Sequence, residues 1–244
     1  MPPVRRREQS SMTDTVTQHR RDGAFFGRRK GHALRDHQKY LFDTLLPQLG
    51  LDLTRPPPAD VSTLFPPGVT AVHLEIGFGG AEHLLAQAAA NPGIGYLGSE
   101  AYLNGMAKAL AGIERQALNN VRLHFEDAVP LLDWLPPASL ARVDLLYPDP
   151  WPKKRHWKRR FVQEATIAKL ARVLRPGGEF RFASDIPDYV DWTLRRLLRT
   201  PDFVWTAQCA DDWRLPWPGF VRTRYEAKAI REGRTPCYLI FRRL

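Results

Sequence analysis

Apolar positions recur along this chain in two rhythms, and the changes between them sort it into elements. Leu34, Tyr40, Leu41, Leu45, Leu46 and Leu49 return near helical spacing and predict a helix over 34–49. Arg55-Pro56-Pro57-Pro58 and Pro66-Pro67-Gly68 bracket a linker, so a compact domain is expected from about Pro66. Ala71 to Ile76 reads as a buried strand that runs into Gly77-Phe78-Gly79-Gly80. A helical pattern follows through Ala81, Leu84, Leu85, Ala88 and Ala89. Further strands are predicted at 96–100, 121–125, 143–147 and 179–183. Helices are predicted between them at about 103–118 and 161–174, then at 189–199. Arg175-Pro176-Gly177-Gly178 reads as a tight turn. The tail predicts a strand at 204–210, a short helix near 226–232 and a last strand at 237–242. Strands alternating with helices imply a mostly parallel sheet covered on both faces, an α/β fold of the Rossmann-like kind.

In such sheets ligands bind beyond the carboxyl ends of the strands. Five successive predicted strands end in or just before an acid: Glu75, Glu100, Asp127, Asp149 and Asp185. One such acid is ordinarily a cap or a surface charge. Five at one edge repel each other and call for a partner with hydrogen-bond donors or positive charge.

Composition narrows the partner. The 36 Lys and Arg against 26 Asp and Glu give +10 and a pI near 9.9, which favours a polyanion, nucleic acid before membrane surface. Cys209 and Cys237 form no metal-binding spacing and read as reduced packing residues of a cytoplasmic protein. No apolar run is long enough for a membrane span, and the arginine-rich start lacks the apolar core of a secretory signal. Residues 1–30 read as a flexible basic arm, 31–65 as a helix with a proline-rich linker, and 66–244 as the main domain.

The charge concentrates behind Tyr147-Pro148-Asp149-Pro150-Trp151-Pro152. Six of the eight residues from Lys153 to Arg160 are Lys or Arg. Pro148 and Pro150 restrict their own backbone and that of Tyr147 and Asp149, so Asp149 is no casual loop acid. The cations suit phosphates, and Trp151 and Trp157 suit stacking on bases or sugars. A solvated basic helix start is the plainer alternative for the run.

Strand, glycine turn, helix and a later acid fit two nucleoside cofactors. Glu100 lies 21 residues after Gly79, near the spacing at which a carboxylate grips ribose hydroxyls. A dinucleotide needs a pyrophosphate pocket, but the loop lacks the last glycine of that pattern, and Glu75 and Glu82 crowd a phosphate with negative charge. S-adenosylmethionine, with a sulfonium, an ammonium and a ribose, suits this edge better.

At Glu75-x-Gly77-x-Gly79, Glu100, Asp127 and the Asp149-Pro-Trp-Pro-Lys-Lys-Arg-His156 stretch, the sequence resembles bacterial tRNA (guanine-N7-)-methyltransferases. The likeness spans about residues 70 to 244, with a weaker echo at 27–31, and Thr223-Arg224-Tyr225-Glu226 supports it independently. It implies a class I methyltransferase fold with a seven-stranded, mostly parallel sheet and methylation of guanine 46 in the tRNA variable loop. By this resemblance Glu75, Gly77, Gly79, Glu100, Asp127 and Asp149 contact S-adenosylmethionine, and Asp149 is the catalytic acid. Lys153, Asp185, Thr223, Arg224, Tyr225 and Glu226 hold the guanine. Arg155, His156, Trp157, Lys158, Arg159 and Arg160 contact RNA. Ala81 departs from the family, which usually carries a third loop glycine there.

TRNA is thus the expected partner, with no membrane and no metal. Three alternatives stand beside this reading: a non-catalytic RNA-binding module, a nicotinamide-dependent oxidoreductase, and a methyltransferase acting on protein or a small molecule.

Overall fold

The computed structural model describes Gly27, Arg29 and residues 31–244. The rest of the basic arm, including Arg5-Arg6-Arg7, Arg28 and Lys30, lies outside the described residues. The sheet has seven strands: β1 (Ala71–Ile76), β2 (Ile94–Ser99), β3 (Val121–His124), β4 (Leu140–Leu146), β5 (Leu174–Ser184), β6 (Phe203–Trp205) and β7 (Cys237–Arg243). Their order is β3-β2-β1-β4-β5-β7-β6. All neighbours from β3 through to β5 pair in parallel, and β7 alone runs antiparallel to its two neighbours.

The order turns around at β1, with β2 on one side and β4 on the other. That reversal opens a crevice at the carboxyl ends of β1, β2 and β4, where ligands of open α/β sheets bind. The helices are α1 (Asp36–Thr44), α2 (Leu46–Leu49), α3 (Glu82–Ala90), α4 (Leu103–Gln116), α5 (Ala128–Trp134), α6 (Glu164–Val173), α7 (Pro187–Leu197), α8 (Asp211–Arg214) and α9 (Arg224–Arg231).

Two apolar layers hold the sheet, one on each face. Val72, Leu74 and Ile76 of β1 face a cluster that includes Leu131, Leu132, Ile167 and Leu170 of α5 and α6. Leu84, Met106 and Leu110 of α3 and α4 pack with Tyr96 and Leu123 on the other side. The intervening β1 residues, His73 and Glu75, turn towards α3. There Glu75 meets His83, while Arg142 of β4 meets Asp144 and, at 3.2 Å, Gln87 of α3. Alternation in a strand covered on both faces thus marks a buried polar layer and not a solvent face.

Packing does not stop at Pro66. Leu41, Phe42 and Leu49 belong to the α3–α4 layer, and Val61 and Phe65 to the opposite one. The Leu51 amide donates to the Leu123 carbonyl at 2.9 Å, and Gly50 bridges to β3. The predicted first helix is divided at Leu45, with Pro47 opening the second piece, α2.

The turn predicted at 175–178 lies inside β5 as an irregularity. Leu140 pairs with Leu174 and Arg142 with Glu179, so the Pro-Gly-Gly segment bulges from the ladder. Gly178 fits there because a Cβ would meet the Arg175 carbonyl at 2.9 Å.

Candidate active site

The glycine loop leaves β1 with Gly77 at φ 68 and Gly79 at φ 55, left-handed conformations that glycine adopts without strain. The Gly77 amide donates to the Ser99 carbonyl at 2.8 Å, which ties the loop to β2. Glu100, just past β2, accepts the Gly79 amide at 2.7 Å and the Tyr102 amide at 2.8 Å. Burial pushes the Glu100 pKa up, with the backbone donors of Tyr102, Gly79 and Ala101 opposing and Asp149 adding to the rise. One carboxylate therefore fixes both the glycine loop and the start of α4, and keeps lone pairs for a ligand.

These residues wall a cleft of about 640 Å³, within the size range of cofactor sites. Gly77, Gly79, Glu100, Asp127 and Asp149 all line it, as do Lys158, Arg159, Arg160, Arg224 and Tyr225. Nothing lies within 4 Å of where a Gly77 side chain would start, so a ligand meets bare backbone there. Asp127 caps α5 by accepting the Val129 amide at 2.7 Å. Asp149 is exposed by surface area, yet the cleft walls strip part of its hydration and push its pKa up. It sits between two residues with positive φ, Tyr147 at 51 and Trp151 at 43, a strained region for bulky side chains.

Glu75 stands elsewhere. It is buried beneath the loop on the polar layer, and its Oε2 meets His83 Nδ1 at 2.8 Å. Burial raises the Glu75 pKa, while burial of His83 is outweighed by the carboxylate, so its pKa also rises. His83 is a residue that sequence reasoning missed. Its signal was a histidine on the buried stripe of α3, eight residues after an acid in a buried strand.

The set expected to hold guanine is brought together in part. Thr223 Oγ1 accepts the Glu226 amide at 3.2 Å and caps α9. Glu226 is 1% exposed; it accepts the Tyr238 hydroxyl at 2.7 Å through Oε1, while Oε2 has no partner. Tyr225 lies against Gly79, whose missing Cβ would sit 3.0 Å from the ring. Arg224 pairs with Glu82 of α3 at 3.5 Å, beside Gly80. Asp185 is engaged by Arg234, which also reaches Glu232. Lys153 is exposed and stands off the cleft lining.

The cationic run forms a 3₁₀ segment over Lys154–Arg159 and not an ordinary helix start. Arg155 and Lys158 are exposed. Arg155 Nε lies 3.3 Å from His156 Nε2, and His156 packs edge-on to Trp151. Arg159 lies over the Trp151 ring at 4.9 Å.

Two residues expected on RNA are turned inward. The Arg160 side chain is fully buried, and Trp157 packs on Trp192 with its indole nitrogen buried. The aromatic surface of α7 captures both, which neither the charge run nor the tryptophan content foretold. Among the described residues no cluster of His, Cys, Asp and Glu has the makings of a metal site.

The same architecture recurs in solved structures. The 16S rRNA methyltransferase KamB covers 78% of this chain and 95% of its own length at 17% identity, with a TM-score of 0.52. TrmN from Thermus thermophilus reaches 0.51 at 16% identity, covering 73% of this chain and 45% of that protein. At such identities the likeness is one of fold. Residues 69–239 match a family model described as a putative methyltransferase. A tRNA (guanine-N(7)-)-methyltransferase from Rhodopseudomonas palustris (strain BisA53) is 61% identical over 221 residues, 91% of this chain and 88% of that protein. A protein of the same name from Bradyrhizobium diazoefficiens is 58% identical over 220 residues, 90% of this chain and 93% of that protein. The chain therefore belongs to the tRNA (guanine-N(7)-)-methyltransferase family.

Proposed function

We propose that this chain transfers a methyl group from S-adenosylmethionine to N7 of guanine in tRNA, at position 46 of the variable loop, in the cytoplasm. The observation that carries the reading is the meeting of Glu100, Asp127 and Asp149 in one cleft whose rim bears Lys158 and Arg159. The residues fit such a cofactor. Acids ring the cleft, bare glycine backbone faces it, and Glu82 opens α3 where a dinucleotide would place phosphate. Glu100 would hold the ribose, and Asp127 and the backbone beyond it the adenine side. Gly77, Gly79 and Tyr225 would enclose the methionine end.

The cofactor supplies an electrophilic methyl group, and guanine N7 meets it with an in-plane lone pair that carries no proton. No base is needed before attack, so the protein's contribution is orientation, which supplies roughly 7 kcal/mol or more in well-aligned reactions. The methylated ring is cationic. Asp149 stands in the cleft to stabilise that charge as it develops. Glu226, with one oxygen unsatisfied, and Asp185 would accept from guanine N1–H and the 2-amino group, a donor pair that adenine does not offer.

The test is transfer of labelled methyl from S-adenosylmethionine to unmodified tRNA, with cleavage chemistry specific to N7-methylguanine. Loss of label on a guanine-to-adenine change at position 46 is expected; label that persists at another position refutes the assignment. Asp149→Asn should lower turnover about a hundredfold, as removal of one charge-stabilising group does, while cofactor binding is retained. Because burial raises the Asp149 pKa, the acid limb of turnover should move to lower pH in that variant.

A further inference from the structure

Within the most cationic stretch of the chain, Arg160 alone has its guanidinium wholly sealed from solvent, among the described residues. Burying such a charge is unfavourable unless it is paired and hydrogen-bonded. The structure pairs two of its three nitrogens and leaves Nη1 without a hydrogen-bond partner. Nε donates to the Pro150 carbonyl at 2.8 Å, and another nitrogen pairs with Asp188 in the first turn of α7. The rings of Trp157, Tyr189 and Trp192 surround it at 5.0, 4.9 and 4.9 Å. Trp192 and Tyr189 in turn bond the Val162 carbonyl and amide at 2.7 and 3.4 Å, which fixes the cage itself.

We propose that Arg160 is a positioning residue: by gripping the Pro150 carbonyl from inside an aromatic cage, it sets where the neighbouring Asp149 carboxylate stands. The inference rests on the methyl transfer proposed above. Two residues of the loop it grips cannot anchor it through their amides. Pro148 and Pro150 have no amide hydrogen to donate. Tyr147 and Trp151, on either side, hold backbone conformations that bulky residues adopt only under external constraint. The Tyr147 amide is tied to the Ala183 carbonyl at 2.8 Å, which anchors the entry of the loop. Arg160 anchors its far side. An arginine suits the task because diverging donors of one rigid plane reach the carbonyl and Asp188 while its faces lie on rings. A displacement of about 1 Å in a reacting group costs on the order of a hundredfold in rate.

The experiment compares Arg160→Lys, Asp188→Asn and Lys158→Ala in the full chain with unmodified tRNA. It measures kcat, tRNA Kd at several salt concentrations, and the fraction of sites that bind S-adenosylmethionine. Arg160→Lys is expected to lower kcat at least tenfold per cofactor-competent site, with tRNA Kd within twofold and an unchanged salt slope. Asp188→Asn, which leaves the cage intact, should lower kcat at least threefold, and the two changes should be non-additive. Lys158→Ala should instead raise Kd and reduce the salt slope by about one phosphate contact.

A raised Kd with a smaller salt slope and full kcat in Arg160→Lys would mean a phosphate contact and overturn the proposal. Activity lost only in proportion to competent sites would mean a purely structural pin and overturn it too. If Arg160→Lys does not fold, Asp188→Asn decides: an unchanged kcat per competent site overturns the proposal. A wild-type chain that methylates no tRNA guanine refutes the reaction itself, a result distinct from either.

Discussion

Ala81 opens α3 at φ 63 with no exposed surface, a left-handed alanine at the position where the family resemblance implies glycine. That conformation costs an alanine roughly 1–2 kcal/mol. Glycine would relieve it, but would add about 0.4–1 kcal/mol of unfolded-state entropy and forfeit about 0.8 kcal/mol of methyl burial. The terms nearly cancel. Ala81→Gly should therefore change unfolding free energy by less than about 1 kcal/mol in urea titrations, whereas Ala81→Val, β-branched at positive φ, should lose about 2 kcal/mol or more. At this scale the sequence placed residues at the cleft better than it oriented their side chains. Glu100, Asp127 and Asp149 were legible because each follows a predicted strand and so falls at one edge. Glu75 was assigned to the ligand by the same rule, although its side chain alternates to the α3 face and meets His83. A period-two count gives the face, but only the packed helix shows what waits there.

The elements were legible where apolar rhythm was strong and blurred where prolines intervene. The predicted elements leave out α5 and with it Pro130. It sits in the helix's first turn, where its missing amide hydrogen has no intrahelical partner to lose. The short α9 was anticipated near its true place, although its start was set two residues late. Its cap explains the difference: Thr223 accepts the Glu226 amide and lets the helix begin at Arg224. The first turn of α9 carries Tyr225 and Glu226, so under the proposed function the cap also sets the geometry of the substrate site. Thr223→Ala should cost about 1 kcal/mol of stability and raise KM for tRNA more than it lowers kcat; steady-state kinetics on the folded variant would show both constants unchanged if the cap were only structural.

At the scale of the molecule, the net charge of +10 forecast an anionic partner but not which cations meet it. Some, such as Arg142 and Arg160, are spent inside the fold. The buried polar layer also shapes the response to acid. Burial, aided by repulsion from Arg142, pushes the His73 pKa down to about 3, against the attraction of Asp144. An unfolded chain binds that proton near pH 6.5 and the folded chain does not, so stability declines as pH falls from about 6.5 towards 3. His124, whose pKa is also lowered by burial, adds to the decline. His73→Leu should flatten the curve of unfolding free energy against pH over that interval; an unchanged slope would show that other groups govern it.

The contact of residues 50 and 51 with β3 has a consequence for handling the protein. An uncovered outer strand is a template on which other copies can add. The Leu51 amide and the Gly50 bridge occupy that side of β3, while the strand at the opposite edge, β6, is only three residues long. Trimming the chain to begin at Pro66, where the prolines invite a cut, would open β3 and bare the surface that Leu41, Phe42 and Leu49 cover. Such a fragment should self-associate as its concentration rises, with light scattering that the longer chain does not show. The proline-rich stretch thus belongs to a guard against aggregation.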